Sequence, residues 1–76
     1  MSENLIFIVH WSYDRYCGID NKPYFHIDTE EVFESDSVGN FFKYLRLVMK
    51  KRRLGKNEVK SIQLVKKMGG NLKHLL

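Results

Sequence analysis

Seventy-six residues, 43% apolar and 29% charged, suffice for one domain with one small core. A single cysteine, Cys17, excludes an intrachain disulfide framework, and the longest early apolar run, Leu5 to Val9, is far too short for a membrane span. The net charge of +4 conceals a segregation: residues 1–40 set Arg15 and Lys22 against eight acids (−6), whereas residues 41–76 set eleven basic side chains against Glu58 alone (+10).

The opening stretch, MSENLIFIVHW, has no basic segment and no signal-peptide core, so the cytoplasm is the expected compartment. Residues 5–13, LIFIVHWSY, are β-branched and aromatic, and the run Leu5–Val9 is apolar on both parities. This predicts a central strand covered on both faces. Turn chemistry follows at Gly18 and Asp20-Asn21, and Pro23 stands at the entry of a second strand, PYFHIDT. In that strand Phe25 and Ile27 share one face, with Tyr24, His26 and Asp28 on the other. An antiparallel hairpin with a long loop is expected.

TEEVFESDS reads as an acidic link. Asp36 or Ser37 then caps a helix over 37–53, whose apolar positions Val38, Phe41, Phe42, Leu45, Val48 and Met49 fall on one face. Lys50 to Arg53 sit at the negative end of the helix dipole, and Gly55 is the expected stop. In NEVKSIQLVKK the apolar residues fit neither period cleanly. The β-branched Val59, Ile62 and Val65 favour a third strand over a helix, and a sheet of two strands would be marginal. Gly69-Gly70 breaks the chain, and Asn71 caps a last turn, LKHLL. The expected fold is α+β over residues 1–76: a small antiparallel or mixed three-stranded sheet (β-β-α-β), one amphipathic helix packed on a face, and a short C-terminal helical turn.

Residues 43–56, KYLRLVMKKRRLGK, hold seven basic side chains in fourteen positions, and residues 37–57 contain no acid. Lys43, Arg46, Lys50 and Arg53 follow i, i+3, i+7, i+10, one stripe away from the apolar face. Lys51, Lys56, Lys66 and Lys67 could widen it. Such a stripe suits a phosphate backbone, because lysine and arginine give it charge-assisted hydrogen bonds. A solvated outer face gaining dipole energy is the plainer reading, but such a face commonly mixes signs. Leu47, opposite the apolar face, and Tyr44 nearby are candidates for a protein contact.

Trp11, Tyr13 and Tyr16 gather near the hairpin loop. They could stack on unpaired bases, anchor an interface, or simply pack in the core, the commonest fate of such rings. His10, His26 and Asp28 share a strand face and could meet across the hairpin, but their spacing is not a metal signature. No catalytic residue, metal or cofactor is assigned. The composition therefore points to a non-enzymatic nucleic-acid-binding module, for DNA or RNA. The alternative is a protein-interaction regulator or inhibitor of the kind phages and mobile elements carry, or a homodimer, using complementary acidic and basic patches. A third reading, a metal-dependent nuclease, would rest on the Glu58-Val59-Lys60 triplet with Asp28 or Asp36.

Overall fold

The computed structural model describes residues 4–16, 23–66 and 70–76. The expected turn at Gly18 and Asp20-Asn21 lies outside the described residues, as do Cys17, Lys22, Lys67 and Gly69 and the side chains of Tyr16, Pro23 and Tyr24. Strand β1 (Leu5–Tyr16) and strand β2 (Pro23–Ser35) form a long hairpin, helix α1 (Val38–Arg52) follows, and strand β3 (Val59–Leu64) completes the sheet. The strand order is β2-β1-β3, antiparallel throughout. The expected α+β architecture is present, with α1 packed on one face of the sheet.

β1 is central, as its composition predicts, but among the described residues only one of its faces is covered by a second layer. Phe7, Val9 and Trp11 are buried against α1, whereas Ile6, Ile8 and His10 on the opposite face are only half-buried. The core joins these three to Phe33 of β2, Val59 and Ile62 of β3, and Phe41, Phe42, Leu45 and Met49 of the helix. Aromatic packing ties the layers together. Phe7 stacks on Phe41 with ring centroids 3.9 Å apart, and Phe33 meets the same ring edge-on at 5.9 Å. Each such buried ring contributes on the order of 2–3 kcal/mol through area removed from water.

The segment expected to be an acidic link is instead the second half of β2. Ser35 pairs with Leu5, Phe33 with Phe7 and Glu31 with Val9. The pairing demand of a central, strongly apolar β1 outweighs the poor strand propensity of three glutamates. Beyond Trp11, β1 has no partner in β3, so Ser12–Tyr16 and Pro23–Asp28 continue as a two-stranded arm. The molecule is accordingly elongated, 53 × 23 × 19 Å.

The helix begins where the sequence predicts. Ser37 is the N-cap, and its side chain accepts a hydrogen bond from the Asn40 amide at 3.1 Å. It ends at Arg52, three residues before Gly55. Arg53 takes the left-handed conformation (φ 57°), and the Leu54 amide donates back to the Met49 carbonyl at 2.9 Å. That six-residue closure with an apolar follower is a Schellman-type stop, so Gly55 is not needed for it. A bulge where His10 and Trp11 face β3 leaves Lys60 as the extra residue: His10 pairs with Ser61, and Trp11 with Val59. Asn71 caps a 3-10 turn over Leu72–Leu75 and also ties β3, its Oδ1 accepting from the Ile62 amide at 2.8 Å. Among the described residues no helix is long and apolar enough to cross a membrane.

Candidate nucleic-acid interface

Because Phe41, Phe42, Leu45 and Met49 turn inward, helical geometry turns Lys43, Leu47 and Lys50 outward. Lys43, Arg46, Lys50, Lys51, Arg53 and Lys56 are all exposed. Lys43, Arg46 and Lys50 lie along one side of the outer helix surface, whereas Arg53, expected on the same stripe, stands at the left-handed cap beyond the helical spacing. Lys51 and the exposed Tyr44 lie on the other side, with Leu47, 62% exposed, between them. Among the described residues none of these six cations is in an ion pair. Arg46 also donates to the Leu75 carbonyl at 3.4 Å, which ties the C-terminal turn to the helix.

Arg52 behaves differently from its neighbours. It grips Glu31 with both guanidinium nitrogens, at 2.6 and 3.0 Å, and lies 5.8 Å over the Trp11 ring. The Trp11 Nε1–H donates to the same carboxylate at 3.0 Å. Hydrogen bonding from Arg52 holds the Glu31 carboxyl below its usual range, against the opposing effect of burial, with Trp11 adding to the lowering. In turn Glu31 raises Arg52. This clamp is the one place where the acidic half reaches a cation of the helix among the described residues.

Lys56 follows the helix on the connection to β3. Lys66 lies past the far end of β3, roughly 20 Å along a six-residue strand from Lys56. It is not gathered into the helix row. Lys67 and the side chain of Tyr16 lie outside the described residues. Trp11 is 2% exposed, so it offers no face to a base and the stacking role is corrected: the ring is core, held by packing and by Glu31. Tyr13 is half-buried against that core.

On the open face of the arm the two histidines do converge. His10 Nε2 contacts Asp28 Oδ1, and His26 lies between Asp14 (2.8 Å), Ser12 (3.2 Å) and Asp28 (3.8 Å). Strand parity puts His10, His26 and Asp28 on this face; Ser12, opposite Asp28, and Asp14, directly opposite His26, complete the cluster. The bond from His10 is the main influence holding Asp28 below its ordinary range, with Lys60 and His26 adding charge. These groups satisfy one another, and among the described residues no three His, Cys, Asp or Glu side chains are arranged to hold a metal ion. The Glu58-Val59-Lys60 triplet is split: Glu58 ends the 3-10 turn Lys56–Glu58, while Lys60 occupies the bulge near Asp28.

No family model, curated protein or solved structure matches this chain.

Proposed function

We propose that this chain is a small nucleic-acid-binding module that grips the phosphate backbone through the outer face of α1. The observation carrying this reading is the set of six exposed cations, Lys43, Arg46, Lys50, Lys51, Arg53 and Lys56, with no acid among residues 37–57 and no ion pair to any of them among the described residues. A helix needing only solubility gains from Glu-to-Lys pairs on its surface. Among the described residues the one carboxylate paired with a cation of the helix is taken by Arg52, which leaves the outward row uncompensated. With Trp11 in the core, the contact reduces to charge-assisted bonds to phosphates, which position a protein on a nucleic acid without reading bases.

The test is a titration with single- and double-stranded oligonucleotides at low and near-physiological salt, followed by backbone amide shifts. The affinity should fall steeply with salt, by about −0.9 in log–log slope per duplex phosphate neutralised. Shifts should concentrate on residues 43–56. Absence of binding to either oligonucleotide at low salt, or shifts confined to the sheet, overturns the proposal.

A further inference from the structure

The face of the sheet away from α1 carries an apolar patch that, among the described residues, no second layer covers. Ile8 and Val32 stand directly opposite each other, and Val32 is 65% exposed. Ile6 adjoins Ile8 on the same face, and Val65, itself 36% exposed, gives its amide to the Ile6 carbonyl at 2.9 Å. Acids border the patch: Glu34 opposite Ile6, Glu30 opposite His10, and Asp28 opposite Ser12. A central strand apolar on both parities belongs between two layers, and β1 has only one.

The molecule also bears the chemical complement of that surface. On the outer side of α1, Leu47 and Tyr44 are 62% and 56% exposed and are flanked by Lys43, Arg46, Lys50 and Lys51. The dimensions match: the 15-residue helix is about 22 Å long, and the acidic row from Asp28 to Glu34 spans about 20 Å. We propose that the open sheet face of one copy receives the outer helix face of a second copy, setting Leu47 against Ile8 and Val32 and the lysines against Glu30 and Glu34. Two different patches meet, so the contact is heterologous and leaves a free face of each kind on a docked pair to receive further copies. Its footprint is that of a single helix, at the small end of specific interfaces, so association is weak and is favoured by low salt. The proposal does not require nucleic acid; it shares the helix face with that reading, and a polyanion would compete for it.

Sedimentation of the wild-type chain at low salt, over concentrations up to several hundred micromolar, should show weight-average mass rising with concentration, and high salt should abolish the rise. Two variants then dissect the contact. Lys43→Glu with Lys50→Glu spoils the helix face and leaves the sheet face intact. Val32→Glu puts a carboxylate at the centre of the sheet patch and leaves the helix intact. Each alone should stay monomeric, with an unchanged circular dichroism spectrum. Their equimolar mixture should form a 1:1 dimer, because one intact face of each kind remains and the spoiled faces, both acidic, repel. A monomeric wild type at low salt, or association that survives in either variant, overturns the proposal. The Val32→Glu variant also separates the two readings, because it should retain any oligonucleotide binding while losing self-association.

Discussion

Arg52 on the helix and Glu31 on β2 form a two-pronged ion pair over the Trp11 ring, and the indole N–H donates to the same carboxylate. Glu31 points to the helix side of the sheet, where Phe33 and Trp11 are buried. Its charge is tolerable there because two partners reach it. The clamp thus allows an acidic strand to lie under a basic helix while, among the described residues, the other cations of that helix stay out of ion pairs.

Glu31→Gln should weaken the fold by about 1–2 kcal/mol, above the usual value for an exposed pair because the guanidinium engages both oxygens. The pH dependence has a definite sign. The Glu31 carboxyl is lowered from its ordinary 4.5 in the folded chain, so its contribution is complete above that value and is lost as pH falls below it. Urea midpoints between about pH 6 and pH 3 should therefore drop more for the wild type than for Glu31→Gln. Parallel curves would mean that the pair contributes nothing.

Asp28→Asn tests the arm. A two-stranded ribbon is marginal by itself, and here its outer face is joined by His10–Asp28 and by His26 with Ser12 and Asp14. Since Asp28 is lowered chiefly by His10, the bond to its charged form acts above the ordinary carboxylate value of 3.8 and fades as pH falls below it. At neutral pH the variant should exchange amide hydrogens faster in Ser12–Tyr16 and Phe25–Asp28, while Phe7, Val9 and Ile62 keep their protection. Uniform acceleration across the sheet would show that the arm and the core open together.

Phe41 touches Phe7, Phe33 and Phe42. Removing it leaves a cavity between helix and sheet, and Phe41→Ala should cost about 3–5 kcal/mol. A chain of this length has a total stability on the order of 4–11 kcal/mol, so the variant should lose at least about a quarter of it and melt well below the wild type. Thermal unfolding followed at 222 nm checks this. A loss below about 1 kcal/mol would show that the sheet and helix re-pack around the gap.

The helix, its Ser37 cap and the Asn71 turn were legible because local rules decide them: apolar spacing, a hydroxyl before the first turn, an amide side chain at the last. Two features were not. Thr29 to Ser35 looks like a link because glutamates disfavour strands, yet the alternation of Glu31 and Phe33 against Val9 and Phe7 depends on partners 22 and 26 residues upstream. In β3 the bulge at Lys60 changes the parity, so Val59 and Ile62 face the core three residues apart. A strict period of two cannot find them. The basic row was readable because it follows from helix geometry alone. The burial of Trp11 and the diversion of Arg52 to Glu31 required the tertiary fold.

Arg53 offers the sharpest separation of stability from binding. It sits in the left-handed region at the helix stop, where a residue with a Cβ is disfavoured by about 1–2 kcal/mol relative to glycine. Its charge near the negative helix end offsets some of that, by about 0.3–1 kcal/mol. Arg53→Gly should therefore leave the melting temperature unchanged or raise it by a few degrees. If the row Lys43–Arg46–Lys50–Arg53 meets phosphates, the same substitution should weaken oligonucleotide binding equally for all sequences and reduce the salt slope by about one. A more stable protein that binds less well would locate a function at this position, because packing alone would favour glycine there. If stability rises and binding is untouched, Arg53 lies outside the contact, and the interface must be carried by Lys43, Arg46, Lys50, Lys51 and Lys56.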